Sequence, residues 1–186
     1  MKPTDAILVM KVGFHGHEAL EAIVRRKRAE ESLLGRTYWG YGGTLCHPGR
    51  SVQPFARQAA EAGRAVTVLF ASTPSPFYGD PSAATEYSTD GAAWEPVPAG
   101  ARITASRYAL VLRNLRECDE TLDLGGYLVA NGPSAGRRLS DYLRYRADKA
   151  VAVANPEGSL EPGPSLKIAL TAELAEPYAI YLRGQP

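Results

Sequence analysis

The sequence predicts an α/β (α+β) protein, built on a mixed β-sheet of about six to eight strands that carries about three helices. Three observations point there. An apolar run at 6–12 and a second at 65–71 are separated by two helical patterns, the order of a parallel unit with helical crossovers. Asp90-Gly91 lies between two short strand-like segments and marks an antiparallel hairpin. Two further apolar runs, at 166–170 and 178–182, close the chain without a helix between them. A partly closed β-barrel with helices in its crossovers is the alternative topology.

Taken in order, 6–12 is a continuous apolar run ended by Gly13, the mark of a strand buried on both faces. A helix is expected over about 17–34, with Leu20, Ile23 and Val24 inward and Gly35 as its C-terminal cap. Glu21 and Arg25, and Lys27 and Glu31, stand at i,i+4 on it, and the run Arg25, Arg26, Lys27 and Arg28 is read as an exposed basic face. Residues 38–41 form a short strand, and Gly42 and Gly43 turn the chain. A second helix begins near Ser51 as N-cap, with Pro54 in its first turn, and ends at Gly63. Its buried face is Phe55, Ala59 and Ala62.

The run 65–71 is the clearest strand of the chain, and residues 72–84, with three prolines and a glycine, read as a long loop. The hairpin about Asp90 follows, then a strand at 107–112 and another over 122–130. A third helix is expected at about 137–149, with Leu139, Tyr142, Leu143, Ala147 and Ala150 inward.

With 186 residues, 45% of them hydrophobic and 22% charged, the chain suits one compact domain over 1–186 with a real core. A net charge of +1 removes bulk charge as an argument for a nucleic-acid partner. Two widely spaced cysteines are not a disulfide framework. No apolar run nears the roughly 20 residues of a membrane span, and Lys11 interrupts the first run too early for a signal peptide. These features point to a soluble cytoplasmic protein with no membrane partner.

Four places could carry chemistry. The first is the strand–loop–helix passage at 129–138, where Asn131, Ser134, Gly136, Arg137 and Arg138 suit a phosphate or other anion. It has neither the spacing nor the Lys-Ser/Thr pair of a P-loop. The second is the stretch 38–48. Here Tyr38, Trp39 and Tyr41 offer stacking and Gly42 and Gly43 offer backbone access. In the same stretch Cys46 is a candidate nucleophile, with His47, His15 or His17 as its base. Third, the three histidines and Cys46 cluster early in the sequence, but their spacing matches no named zinc site, so no metal is assigned. Fourth, the two basic runs, at 25–28 and 137–146, suit nucleic acid.

No motif of known mechanism is complete, and no cofactor is implied. The leading expectation is a domain that binds a phosphate-bearing ligand, a nucleotide or nucleic acid. The alternatives are a hydrolase or transferase using Cys46 with a histidine base, and a protein-interaction domain without a small ligand.

Overall fold

A computed structural model describes residues 5–15, 18–77, 82–104, 106–145, 147–158 and 163–184. They form one mixed sheet of nine strands with three α-helices, and the sheet is not closed into a barrel. In chain order the elements are β1 (Ala6–His15), α1 (Leu20–Leu34), β2 (Thr37–Tyr41), α2 (Gln53–Glu61) and β3 (Thr67–Phe77). Then come β4 (Glu86–Ser88), β5 (Glu95–Pro96), β6 (Tyr108–Asp123), β7 (Tyr127–Val129), α3 (Leu139–Tyr145), β8 (Lys149–Ala154) and β9 (Ser165–Arg183). The strand order is β2-β6-β9-β3-β1-β8-β7, with β4 also on β9 and β5 on β4.

Strand β1 sits inside the sheet, parallel to β3 and antiparallel to β8. From Ala6 to Met10 its residues are 0–3% exposed, which is why the run is apolar at every position rather than at alternate ones. Even positions of β1 (Leu8, Met10, Val12) face a core shared with α1 and α2, through Ile23, Val24, Phe55, Ala56 and Ala59. Odd positions (Ile7, Val9) face a second core with Leu139 and Leu143 of α3. A third cluster, around Tyr38, Ile103, Val111 and Ile180, packs the β4–β5 hairpin and the segment after it against the sheet.

Several expectations hold. Gly35 caps α1 in the left-handed region (φ 69°), its N–H donating to Glu31 O. The hairpin about Asp90 forms with Glu86 opposite Pro96, and the Asp90 carboxylate accepts from the N–H groups of Ala92 and Ala93.

Other expectations are corrected. The third helix stops at Tyr145, so Lys149 and Ala150 belong to β8. Ser51 does not cap α2; its hydroxyl donates to Asn131 Oδ1 across 80 residues. Ala62 is exposed, and Ala56 takes its place inward. The loop expected over 72–84 is strand as far as Phe77. The single strand expected over 122–130 is divided between the end of β6 and β7, by a short turn at Leu124–Gly126. The two C-terminal strands are one, β9. Between the partners Leu110↔Ala179 and Leu112↔Leu174, residues 175–178 bulge out.

The basic face on α1 dissolves. Arg26 pairs with Glu18 at 2.7 Å and Arg28 stands 3.6 Å from Glu117. Lys27 is 4% exposed and reaches Glu30, not Glu31. The Glu31 carboxylate instead accepts from the N–H groups of Asn114 and Leu115, where β6 bends through a left-handed residue. Helix α1 is thus bound to β6 by a carboxylate on backbone, which alternating charge in the sequence does not distinguish from a solvated pair.

Candidate functional site

A cleft of about 740 Å3 opens along the second half of β1, where β8 begins and its pairing with β1 stops, within the size range of small-ligand sites. Its walls are residues 10–13 of β1, Thr73 of β3, Trp39, residues 40–45, and Leu143, Arg144, Ala147, Asp148 and Lys149 around the start of β8.

The glycine-rich loop is fixed at both ends. Trp39 is 4% exposed and its ring lies 4.4 Å from Phe70. The Tyr41 hydroxyl donates to Cys46 O at 2.7 Å, closing the loop 42–45, and burial pushes that hydroxyl's pKa far up. Gly43 has φ 79°, a left-handed conformation that a side chain would strain. A Cβ placed there would stand 3.8 Å from Lys149 Nζ, so the loop passes directly beside the ammonium.

Lys149 is the distinctive group. It is 4% exposed and its Nζ stands 2.6 Å from Asp148 Oδ2. Among the described residues that carboxylate is its one hydrogen-bond acceptor, although an ammonium carries three donors. Lys11 lies one position along the neighbouring strand: its backbone N–H donates to Asp148 O, and its Nζ donates to Leu143 O at 2.5 Å. Among the described residues, Lys11, exposed Arg144, Lys149 and the Asp148 carboxylate line the cleft.

The residues expected from sequence divide. Trp39, Tyr41, Gly42 and Gly43 line the cleft. Tyr38 does not: it points to the opposite face of β2, into the third cluster, because strand side chains alternate. Tyr38, Trp39 and Tyr41 are 3–5% exposed, so they form no shared stacking platform for bases.

The turn at 131–138 is spent on itself. The N–H groups of Ala135, Gly136 and Arg137 donate to Gly132 O, Val129 O and Ser134 O. Asn131 exchanges two hydrogen bonds with Ser51. Arg137 and Arg138 are exposed, and a seven-residue α3 follows them. Three of the turn's backbone donors are therefore occupied.

Cys46 is 6% exposed, and burial is the main cause of a thiol pKa pushed up to about 12; the nearby Lys149 charge offsets it only in part. A thiol at that value is protonated at neutral pH and is a poor nucleophile. His47 accepts from Arg50 N–H at 3.4 Å through Nδ1, and its ring sits 5.3 Å from Tyr108 and 5.5 Å from Tyr181. Burial, then Arg50, lowers its pKa. The His15 side chain and all of His17 lie outside the described residues. Among the described residues no three metal-ligating side chains come together, and no helix is long and apolar enough to cross a membrane.

This geometry gives an expected labelling pattern. Iodoacetamide at pH 8 should modify half-buried Cys118 in the native protein and Cys46 only after denaturation, read by peptide mass spectrometry. Native labelling of Cys46 ahead of Cys118 would restore the nucleophile reading.

Sequence reasoning missed Lys11, Asp148 and Lys149 as cleft residues, and read Arg144 only as part of the basic run 137–146. The available signal was Asp148-Lys149 directly before the alternating small and β-branched run 150–154. The chain matches no protein-family model, no curated protein and no solved structure.

Proposed function

We propose that the protein is a binding domain for a small phosphate-bearing ligand of the nucleotide class, seated in the cleft beside residues 10–13 of β1 and the start of β8. The observation that carries this reading is Lys149, a buried ammonium at the cleft that has, among the described residues, one acceptor for its three donors. Burying a cation with unmet donors is costly, and an anionic oxygen is the partner that relieves it best. The loop 42–45 brings backbone close to that position, and Met10, Val12, Trp39 and Leu45 supply apolar wall for the rest of the ligand. The phosphate-binding role thus moves from the turn at 131–138 to Lys149.

Nucleic acid is the weaker partner, because three of the four cations in the basic run on α1 pair with Glu18, Glu30 and Glu117. Isothermal titration with AMP, ADP and ATP is the test. Saturable binding of one ligand per chain supports the reading. The absence of heat with all three, alongside a folded protein, refutes it.

A further inference from the structure

The loop 42–45 brings donors of its own to the cleft. Among the described residues, none of the backbone N–H groups of Gly42, Gly43, Thr44 and Leu45 donates to a protein acceptor. Gly43 and Thr44 are exposed, and all four residues line the cleft. Solvent reaches such groups, so their freedom alone is no anomaly. What sets them apart is the ammonium beside them. A Cβ on Gly43 would stand 3.8 Å from Lys149 Nζ. The Gly43 nitrogen lies about 2.5 Å from that position, so it is within roughly 6 Å of the ammonium. Two donors at that separation can meet on one anion, each about 3 Å from an oxygen. The loop is also held in place. Gly43 at φ 79° and Cys46 at φ 54° are both left-handed, and the Tyr41 hydroxyl ties the two ends of the loop together at Cys46 O.

We infer, resting on the reading above, that the backbone N–H groups of loop 42–45 form the second half of the phosphate site, and that one phosphoryl group bridges this loop and Lys149. The loop thereby sets the chemical class of the ligand. An ammonium is a point charge and takes a carboxylate as readily as a phosphoryl group. Successive backbone N–H groups in a turn make a concavity that favours an anion with several acceptor oxygens. A phosphoryl group brings three such oxygens and close to two negative charges, where a carboxylate brings two oxygens and one charge. Gly43 acts here through its missing side chain, which lets backbone rather than a side chain meet the anion.

The test is a set of 1H–15N titrations of the wild type and Lys149→Met with inorganic phosphate, acetate and ADP, each against chloride at matched ionic strength. Phosphate and ADP are expected to move at least two of the four loop amide protons downfield in the wild type. At saturation they should slow the exchange of those protons with solvent by about 10-fold. Acetate is expected to bind about 10-fold more weakly than phosphate, the loss of one charge-assisted contact. If Lys149→Met weakens phosphate or ADP while the four loop amides of the wild type keep their free exchange rates, the inference is overturned and Lys149 stands alone as the anion site. Acetate bound as tightly as phosphate overturns it as well. No binding of phosphate or ADP to the folded wild type overturns both the inference and the reading beneath it.

Discussion

Glu30→Ala is expected to destabilise the protein by about 3–5 kcal/mol, measured by urea unfolding. Glu30 is 3% exposed and its carboxylate accepts from Thr37 Oγ1 and Tyr38 N–H at 2.7 Å, from Arg102 N–H at 3.2 Å, and from Lys27 Nζ. It therefore joins α1, the start of β2 and the segment at 102 through one side chain. Truncation leaves a buried ammonium unpaired and several donors without an acceptor. Glu30→Gln keeps an acceptor and should cost less. If Glu30→Ala unfolds at the wild-type urea concentration, this cluster is not what holds α1 to the sheet.

The same pair sets a pH dependence. Burial lowers the Lys27 pKa from 10.5 to about 8, against the raising influence of Glu30. Between those values the unfolded chain holds more protons than the folded one, so this group makes stability rise with pH from about 8 toward 10.5. Lys27→Met should flatten that rise in a series of unfolding curves. A slope unchanged in Lys27→Met would assign it to other groups.

Lys149→Met carries the second large effect. It should weaken nucleotide binding by about 2–3 kcal/mol, roughly 30- to 150-fold, the value of hydrogen bonds to a charged group. Methionine keeps most of the side-chain volume beside Gly43 and Cys46, and Asp148, largely exposed, is left to solvent. The melting temperature should therefore move little while affinity falls. A loss of affinity that tracks a loss of structure would instead make Lys149 a purely structural cation.

Much of the fold was legible because its signals were local. β1 announces itself by an unbroken apolar run, α1 by its periodicity and Gly35, and the β4–β5 hairpin by Asp90-Gly91. The sequence-adjacent wall of the cleft, Trp39 to Gly43, was found for the same reason: glycines between aromatics have few other uses. What escaped depends on contacts distant in sequence. Lys149 and Ala150 continue the helical pattern of Leu139 and Leu143, and only pairing with β1 makes them strand. Lys27 looks like one cation in a basic run until Glu30 and Arg102 O surround it. β9 reads as two strands because the bulge at 175–178 interrupts its alternation. The cleft itself is assembled from β1, β2, β3, α3 and β8, so its cations converge only after the sheet order is set.

A 1H–15N correlation spectrum recorded during titration with ADP tests the central claim most directly. The account predicts that the largest amide shifts fall at Lys11, Val12, Gly42, Gly43 and Lys149, around the cleft. Shifts concentrated instead at Gly132, Ser134 and Gly136 in the turn before α3, or along the arginines of α1, would contradict it.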